Sequence, residues 1–140
     1  MANDIEKIME EFRAAWNSRD VDKIVSFYAD DCVLEDMGLG VVCHAKKELY
    51  NFVRQWYVDY PDLRFEWKSR FNAGNSVAGE WTMTGTNVHS SNPAIPATGK
   101  RFSVRGVSII EVQDGKIKRE TDYYNQLTIM QQLGLMPVTP

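Results

Sequence analysis

Asp122 is the residue of this chain whose type and position could most directly do chemistry. It lies near the end of a predicted strand that passes into a helix, and Tyr123 and Tyr124 follow it. An ionised carboxylate loses hydration when it is buried, so burial raises its pKa unless hydrogen bonds hold the charge. Carboxyl groups with shifted pKa values are typical of sites that transfer protons. Asp122 is therefore the first candidate for acid–base catalysis, and the alternative is a structural carboxylate satisfied by neighbouring hydroxyl or amide groups.

Three more polar residues could complete a catalytic site. Asp36 follows a predicted strand and could provide a second carboxyl group, so that one group acts as the acid and the other as the base. Asn87 and Ser108 could donate hydrogen bonds to the oxygen of an enolate, as an oxyanion site requires. Each has a structural alternative: Asp36 as a turn residue, and Asn87 and Ser108 as ordinary hydrogen-bonding side chains.

Aromatic side chains could form the walls of a pocket for flat apolar rings, because rings stack favourably and bury a large area. The expected substrate contacts are Trp56, Trp81, Tyr28 and Tyr124. Aromatic residues at helical or strand spacing are more often plain core, and this alternative stays open. His89, at the start of a predicted loop, is interpreted as a solvated side chain.

Neither a metal site nor a disulfide is expected. The two histidines, His44 and His89, have no second ligand at helical spacing and no Cys-x-x-Cys motif nearby. Cys32 and Cys43 flank a predicted turn, and a hairpin could bring them together. We expect a reduced, structural pair, because one disulfide adds little to a cytosolic domain of this size.

Length and charge narrow the class of protein. A chain of 140 residues with 44% hydrophobic residues predicts a single domain over 1–140. The net charge of −3 argues against a nucleic-acid binder, because such proteins need a clustered basic surface. No apolar run is long enough to cross a bilayer, and the acidic N-terminal segment does not resemble a signal peptide. We therefore expect a cytoplasmic protein without a membrane partner.

The first half of the chain has helical periodicity. Apolar residues at three- and four-residue steps predict a helix over about 4–18. Asp20 suits the N-cap of a short second helix, in which Tyr28 shares the apolar face and Asp30 and Asp31 mark the end. A third helix is predicted over about 46–60, where Pro61 prevents its continuation.

The second half alternates between apolar and polar residues, which predicts strands. After a short strand near 32–35, we expect strands from about 63, over 77–89, over 102–112 and over 116–124. The pair Asp114-Gly115 predicts a hairpin turn because it tolerates positive φ, and 90–99 is expected to be a loop that covers a pocket mouth or connects strands. The predicted fold class is α+β, with a curved antiparallel sheet wrapped round N-terminal helices.

The predicted strand 102–112 has apolar residues on both faces. Val104 and Ile110 alternate with Val107 and Ile109, so a sheet with helices on one side needs a second cover on the other. Another copy of the chain is the simplest cover, and we expect a homodimer through the outer face of the sheet. Arg105, on that face, is interpreted as an ion-pair partner across the interface.

The order of these elements, the stretches Pro-Ala-Thr-Gly-Lys at 96–100 and Asp-Gly-Lys-Ile at 114–117, and the tail that begins at Asp122-Tyr123-Tyr124-Asn125 resemble a known family. The chain resembles the SnoaL-like polyketide cyclases of the nuclear transport factor 2-like superfamily, which also holds ketosteroid isomerase, scytalone dehydratase and limonene epoxide hydrolase. The resemblance implies a cone-shaped α+β barrel, an enclosed apolar pocket, no cofactor, and an aspartate that acts as acid or base on a carbonyl substrate. That aspartate falls on Asp122.

The chain departs from the family pattern at three positions. Family cyclases often carry a histidine at the position of Ser108. Many relatives also carry Gly-Thr-His where this chain has Gly85-Thr86-Asn87, and a basic residue where it has Glu80. The histidine partner of the family aspartate is therefore absent.

The leading hypothesis is a cofactor-free isomerase or cyclase. Asp122 removes a proton beside the carbonyl group of a small hydrophobic substrate, and donors in the pocket hold the enolate. Epoxide hydrolysis is a variant, although it usually needs an Asp-Arg-Asp arrangement that these residues do not clearly offer. The alternative from another class is a non-catalytic module that binds a small ligand or associates as a dimer, because fold does not establish function.

Overall fold

The computed structural model describes residues 2–94 and 96–138. The elements in chain order are α1 (Ala2–Ser18), α2 (Val21–Val25), β1 (Tyr28–Asp36), β2 (Val41–His44), α3 (Ala45–Asp59), β3 (Arg64–Ala73), β4 (Ser76–Thr86), β5 (Arg101–Gln113), β6 (Lys116–Tyr124) and α4 (Gln126–Gln132). A six-stranded sheet with helices packed against it confirms the predicted α+β class. Within the described ranges, no helix is both long and apolar enough to cross a membrane.

The strand order in the sheet is β2-β1-β6-β5-β4-β3. Strands β3 to β6 form the expected antiparallel meander, but β1 pairs with β6 in parallel, so the prediction of an antiparallel sheet is wrong at this one pair. Two parallel strands need a long connection between the end of one and the start of the next, and here the segment from β2 to β5 forms that connection. The register of β1 and β6 sets Asp36 directly beside Asp122.

The second helix is shorter than predicted, and the strand after it is longer. Asp20 caps α2 as expected, since its Oδ1 accepts a hydrogen bond from the backbone N–H of Lys23 at 3.1 Å. The helix ends at Val25, and Tyr28 begins β1 instead of lying on a helical face. Asp30 and Asp31 are likewise strand residues. Pairing of β1 with β6 outweighs the local helical pattern, because the sheet completes the backbone hydrogen bonds.

Two other boundaries differ from the sequence prediction. Strand β2 was not expected; it pairs with β1 after a turn in which Gly40 takes a φ of 70°. Strand β4 ends at Thr86 and does not reach His89, because Asn87 bonds across the following loop to Lys100 O and Gly99 N. The expected loop at 90–99 is free of helix and strand in its described part, and Ile95 lies outside the described residues.

Buried side chains form two groups between the sheet and the helices. One lies beneath α1, α2 and α3, and the predicted apolar stripe of α1 contributes Ile5, Met9, Phe12 and Ala15 to it. The other is richer in rings and consists of Tyr60, Leu63, Phe65, Trp81, Met83, Phe102, Val104, Ile129 and Leu133. Trp16 packs against both groups. The aromatic group surrounds the inner faces of β4 and β5, where the predicted site residues lie.

Gly106 has a specific part in this packing. It lies opposite Trp81 in the β4–β5 pair, and a Cβ at this position would collide with the Trp81 ring and crowd the carbonyl of Tyr123. The missing side chain therefore lets the indole lie flat against β5. Gly79, two residues before Trp81 on β4, has room for a Cβ, because the nearest atom would be 3.6 Å away at the end of Arg13.

We predict that Gly106→Ala lowers the free energy of unfolding by about 1–3 kcal/mol, the usual cost of overpacking a filled core. Gly79→Ala is the matched control and should be neutral or slightly stabilising, because alanine restricts the unfolded chain. Urea unfolding of both variants measures the difference. Equal stability of the two would show that the ring does not depend on the glycine.

Candidate active site

A line of hydrogen bonds runs across the inner face of three neighbouring strands. The indole Nε1–H of Trp81 on β4 donates to Ser108 Oγ on β5 at 2.8 Å, and the Ser108 hydroxyl donates to Asp122 Oδ1 on β6 at 2.6 Å. Indole can only donate, so the Ser108 oxygen acts as acceptor there and its proton is committed to Asp122. The β5–β6 register places Ser108 and Asp122 opposite one another.

The line continues to Glu120, a residue that sequence reasoning missed. Glu120 lies two positions before Asp122 on β6, so both side chains point to the same face of the sheet. Their carboxyl groups are hydrogen-bonded to each other, and Tyr28 Oη donates to Glu120 Oε1 at 2.6 Å. The period-2 alternation of β6 was a signal that could have identified Glu120.

The hydrogen bond between Glu120 and Asp122 requires a proton, because two carboxylates offer only acceptors. Burial raises the pKa of Asp122 well above its usual range, and the charge of Glu120 raises it further. Burial also raises the pKa of Glu120, but the hydrogen bonds from Asp122 and Tyr28 favour its ionised form. We therefore place the shared proton on Asp122 at neutral pH.

Asp36 provides a third carboxyl group on the neighbouring strand. Its Oδ1 accepts from the backbone N–H of Leu39 at 2.8 Å, and its Oδ2 accepts from Tyr124 Oη at 3.0 Å. Burial raises the pKa of Asp36 to about 6, partly offset by these hydrogen bonds. Gly38 makes the Tyr124 contact possible, because a Cβ there would collide with the ring. Asp36 is thus mostly ionised at neutral pH, whereas Asp122 is protonated.

These carboxyl groups face a small aromatic cavity. Its lining includes Asp36, Ser108, Glu120 and Asp122 together with the expected contacts Trp56, Trp81 and Tyr124, and further rings from Phe12, Trp16, Phe52, Phe65 and Trp67. No lysine or arginine is among the described residues that line it. The cavity volume is about 40 Å³, whereas an apolar cavity that binds benzene measures about 150 Å³. In this conformation the carboxyl cavity has space for water but not for a ring.

Two predicted site residues lie elsewhere. Tyr28 does not line the carboxyl cavity; it is fully buried in the core, donates a hydrogen bond to Glu120 and packs against the ring of Phe12. Asn87 does not line this cavity either, because its Nδ2 donates to the carbonyl of Pro96 at 2.8 Å across the 87–100 loop. The structure therefore offers Tyr28 as a support of Glu120 and does not bring Asn87 to Asp122.

A second cavity adjoins the first and holds about 220 Å³. Phe52 and Trp56 line both, so these side chains form the partition between them. The rest of its lining consists of Leu39, Gln55, Asp59, Tyr60, Asn87, His89, Ser91, Asn92 and Gln126. His89 is exposed, as expected, and its Nδ1 lies 3.0 Å from Asp59 Oδ1.

The cysteines and the possible metal ligands among the described residues form no further site. Cys32 and Cys43 are both buried and are not bonded to each other. Among residues 2–94 and 96–138, no three His, Cys, Asp or Glu side chains are arranged to hold a metal ion.

The fold and the carboxyl-lined cavity define a protein of the nuclear transport factor 2-like class, to which the polyketide cyclases belong. The chain is a member of the SnoaL-like polyketide cyclase family, whose sequence profile matches residues 6–133. This confirms the resemblance seen in the sequence. No match to a curated protein was found.

Solved structures agree with this assignment. AclR from Streptomyces galilaeus, a candidate hydroxylase, is 26% identical, with a TM-score of 0.84 over 100% of this chain and 90% of that chain. TsrD from Streptomyces laurentii is 24% identical, with a TM-score of 0.82 over 97% and 98%. IdmH from Streptomyces antibioticus, a candidate polyketide cyclase, is 20% identical, with a TM-score of 0.77 over 93% and 98%. The last two similarities establish the fold alone.

The raised pKa of Asp36 predicts a pH-dependent stability. Between the usual value of 3.8 and the folded value of about 6, the folded protein holds a proton that the unfolded chain releases. This contribution is complete below about pH 4 and is lost as pH rises through about 6. Relative to Asp36→Asn, we expect the wild type to lose about 2 kcal/mol of unfolding free energy between pH 4 and pH 7.

Urea unfolding at several pH values measures this difference, and Asp30→Asn, at an exposed position, is the control that should follow the wild type. A constant difference between the wild type and Asp36→Asn would contradict the assigned environment of Asp36.

Proposed function

We propose that this protein is a cofactor-free acid–base enzyme of the isomerase or cyclase type, acting on a small hydrophobic carbonyl compound. The observation that carries the proposal is the hydrogen-bonded line Trp81–Ser108–Asp122–Glu120–Tyr28, which opens on an aromatic cavity beside Asp36. Membership of a polyketide cyclase family supports a cyclase-type activity. The substrate and the roles of individual carboxyl groups are the proposed part.

The environments of Asp36 and Asp122 divide the acid and base roles between them. Asp122 is protonated and acts as the acid, instead of removing a proton as expected from the sequence, because burial and the charge of Glu120 hold its proton at neutral pH. Asp36 is mostly ionised near pH 7 and acts as the base. Adjacent strands are about 4.8 Å apart, so the paired residues can contact one small substrate from the same side.

The proposed reaction begins with proton transfer. Asp36 takes the proton from the carbon beside the carbonyl group, while Asp122 releases its hydrogen bond to Glu120 and gives its proton to the carbonyl oxygen, and a neutral enol results. As Asp122 takes back the enol proton, the proton held by Asp36 goes to one of two places. Delivery to a carbon conjugated with the enol gives isomerisation, and delivery to the oxygen of a second carbonyl group, as the enol carbon attacks that group, closes a ring. Ser108 orients Asp122 and does not donate to the enolate, because its hydroxyl proton is already committed.

The small volume of the carboxyl cavity favours a second candidate, a module that binds ligands without catalysis. At about 40 Å³ the cavity is largely filled by its own aromatic lining. The enzymatic proposal therefore requires Trp56 or Phe52 to move when substrate enters from the larger cavity. Epoxide hydrolysis receives less support, because none of the described residues lining the carboxyl cavity is an arginine.

We predict that Asp122→Asn abolishes proton transfer and preserves the fold. Asparagine mimics the protonated acid, since its oxygen can accept from Ser108 and its amide N–H can donate to Glu120. Exchange of α-hydrogens for deuterium in D₂O, with 2-tetralone among a panel of aromatic ketones, reports enolisation before the true substrate is known. The wild type should exchange faster than the uncatalysed background, and Asp122→Asn should not.

Two further variants test whether the exchange activity depends on the carboxyl groups of the site. Glu120→Gln keeps a hydrogen-bonding partner for Asp122 but removes the negative charge that raises the pKa of Asp122. Asp122 should then lose its proton at a lower pH, so the exchange rate should begin to fall at a lower pH than in the wild type. Asp30→Asn, exposed and remote from the cavity, should exchange like the wild type. Exchange by Asp122→Asn at the wild-type rate would overturn the enzymatic proposal and leave the binding module.

We also propose that the protein is a homodimer through the outer face of the sheet. In the single chain this face exposes Ile109 at 40% and Tyr123 at 49%, while Val107 is half-buried and Arg105 is exposed. An apolar patch framed by charge is typical of an interface between copies. Sedimentation equilibrium at micromolar concentration should give a dimer, and a monomer would remove this proposal.

A further inference from the structure

The second cavity has a polar lining that the proposed chemistry at Asp122 does not use. Asn87 is 1% exposed, and its Oδ1 is buried without a hydrogen-bond partner. The carbonyl oxygen of Pro96 can only accept a hydrogen bond, so it must face the Asn87 Nδ2–H group. This fixes the orientation of the amide and leaves its oxygen unpaired. Gln126 Oε1 is likewise buried and unpaired. Both residues belong to the cavity lining, although the two oxygens themselves are closed off from the open space. A ligand that shifts these side chains and brings donors would satisfy both acceptors.

Asp59 adds a negative charge to this cavity. Its side chain is 17% exposed, and Oδ1 accepts from Ser91 Oγ at 2.7 Å and contacts His89 Nδ1. No described residue bonds to the other oxygen, Oδ2. Asp59 is also the last residue of α3, where the helix dipole is negative and where the last turn holds no basic residue. The end of the helix and the carboxylate together favour a cation.

Aromatic walls complete the site. Trp56 and Tyr60 lie with their ring centroids 5.4 Å apart, and Phe52 lies on the partition to the first cavity. Aromatic faces attract cations and also bury an apolar body. Apart from His89, which pairs with Asp59, no described residue in the lining can carry a positive charge. An anionic group would therefore find no counter-charge here.

We propose that the second cavity binds the protonated amino group of a small aromatic or apolar amine. The ammonium group contacts Asp59, its remaining N–H bonds reach toward Asn87 and Gln126, and its apolar body packs on Trp56 and Tyr60. A ligand held in this way lies one aromatic layer from the carboxyl cavity. The proposal concerns binding alone and does not depend on proton transfer by Asp122.

Three probes of similar shape test the charge preference: benzylamine, benzyl alcohol and benzoate. Titration into ¹⁵N-labelled protein should move the side-chain amide signals of Asn87 and Gln126 and the indole signal of Trp56. Benzylamine should bind roughly tenfold more tightly than benzyl alcohol, because it forms a charge-assisted hydrogen bond. Benzoate should not bind. Equal affinity for the amine and the alcohol, or no binding of benzylamine, would overturn the proposal.

Variants of residues that line the second cavity test whether Asp59 causes the preference for the amine. Asp59→Asn retains an oxygen for Ser91 and His89, so the loop should keep its place, but benzylamine should bind roughly tenfold more weakly. His89→Ala removes the competing partner of the carboxylate and should bind benzylamine at least as tightly as the wild type. Asp30→Asn is the exposed control and should not change binding. Unchanged affinity in Asp59→Asn, or weakened affinity in His89→Ala, would contradict the proposal, and neither outcome bears on Asp122.

Discussion

The buried hydrogen bond between Glu120 and Asp122 is the interaction on which the site depends. Two carboxyl groups that are hydrogen-bonded to each other at a largely buried site cannot both be ionised, because each charge would lose water and repel the other. The pair therefore keeps one proton. Tyr28 donates to Glu120 and Ser108 donates to Asp122, and each bond lowers the pKa of its partner against the upward shift from burial. A pair held in this way is a source of protons at neutral pH, which an isolated aspartate is not.

The architecture explains how these groups come together. Strand β6 lies between β1 and β5, so its inner residues have neighbours on both sides: Ser108 on one and Asp36 on the other. Gly106 and Gly38 leave space for the rings of Trp81 and Tyr124, which in turn contact Ser108 and Asp36. Ser108 and Asp36 are thus each oriented by an aromatic side chain that is itself held in place by packing against a glycine, as a proton-transfer site requires.

The sequence predicted the parts of the fold that rest on local patterns. The apolar stripes of α1 and α3, the Asp114-Gly115 turn and the class of fold were correct, and Asp122, Asp36, Ser108 and the rings of Trp56, Trp81 and Tyr124 do face one cavity. The parallel pairing of β1 with β6 was not predictable from periodicity, because it joins segments far apart in the chain. That pairing also explains why Tyr28 belongs to a strand and supports Glu120. Asn87 was misplaced because alternation alone does not show where a strand leaves the sheet.

The central claim is that the Glu120–Asp122 pair holds one proton at neutral pH. Carboxyl-carbon NMR of selectively ¹³C-labelled protein, titrated from acid to alkaline pH, measures it directly, with Asp122→Asn to assign the signals. The account predicts that one of the two carboxyl groups stays protonated through about pH 7 and releases its proton only well above the usual range of an aspartate. Two fully ionised carboxylates at neutral pH would contradict it, and Asp122 could then not act as the acid.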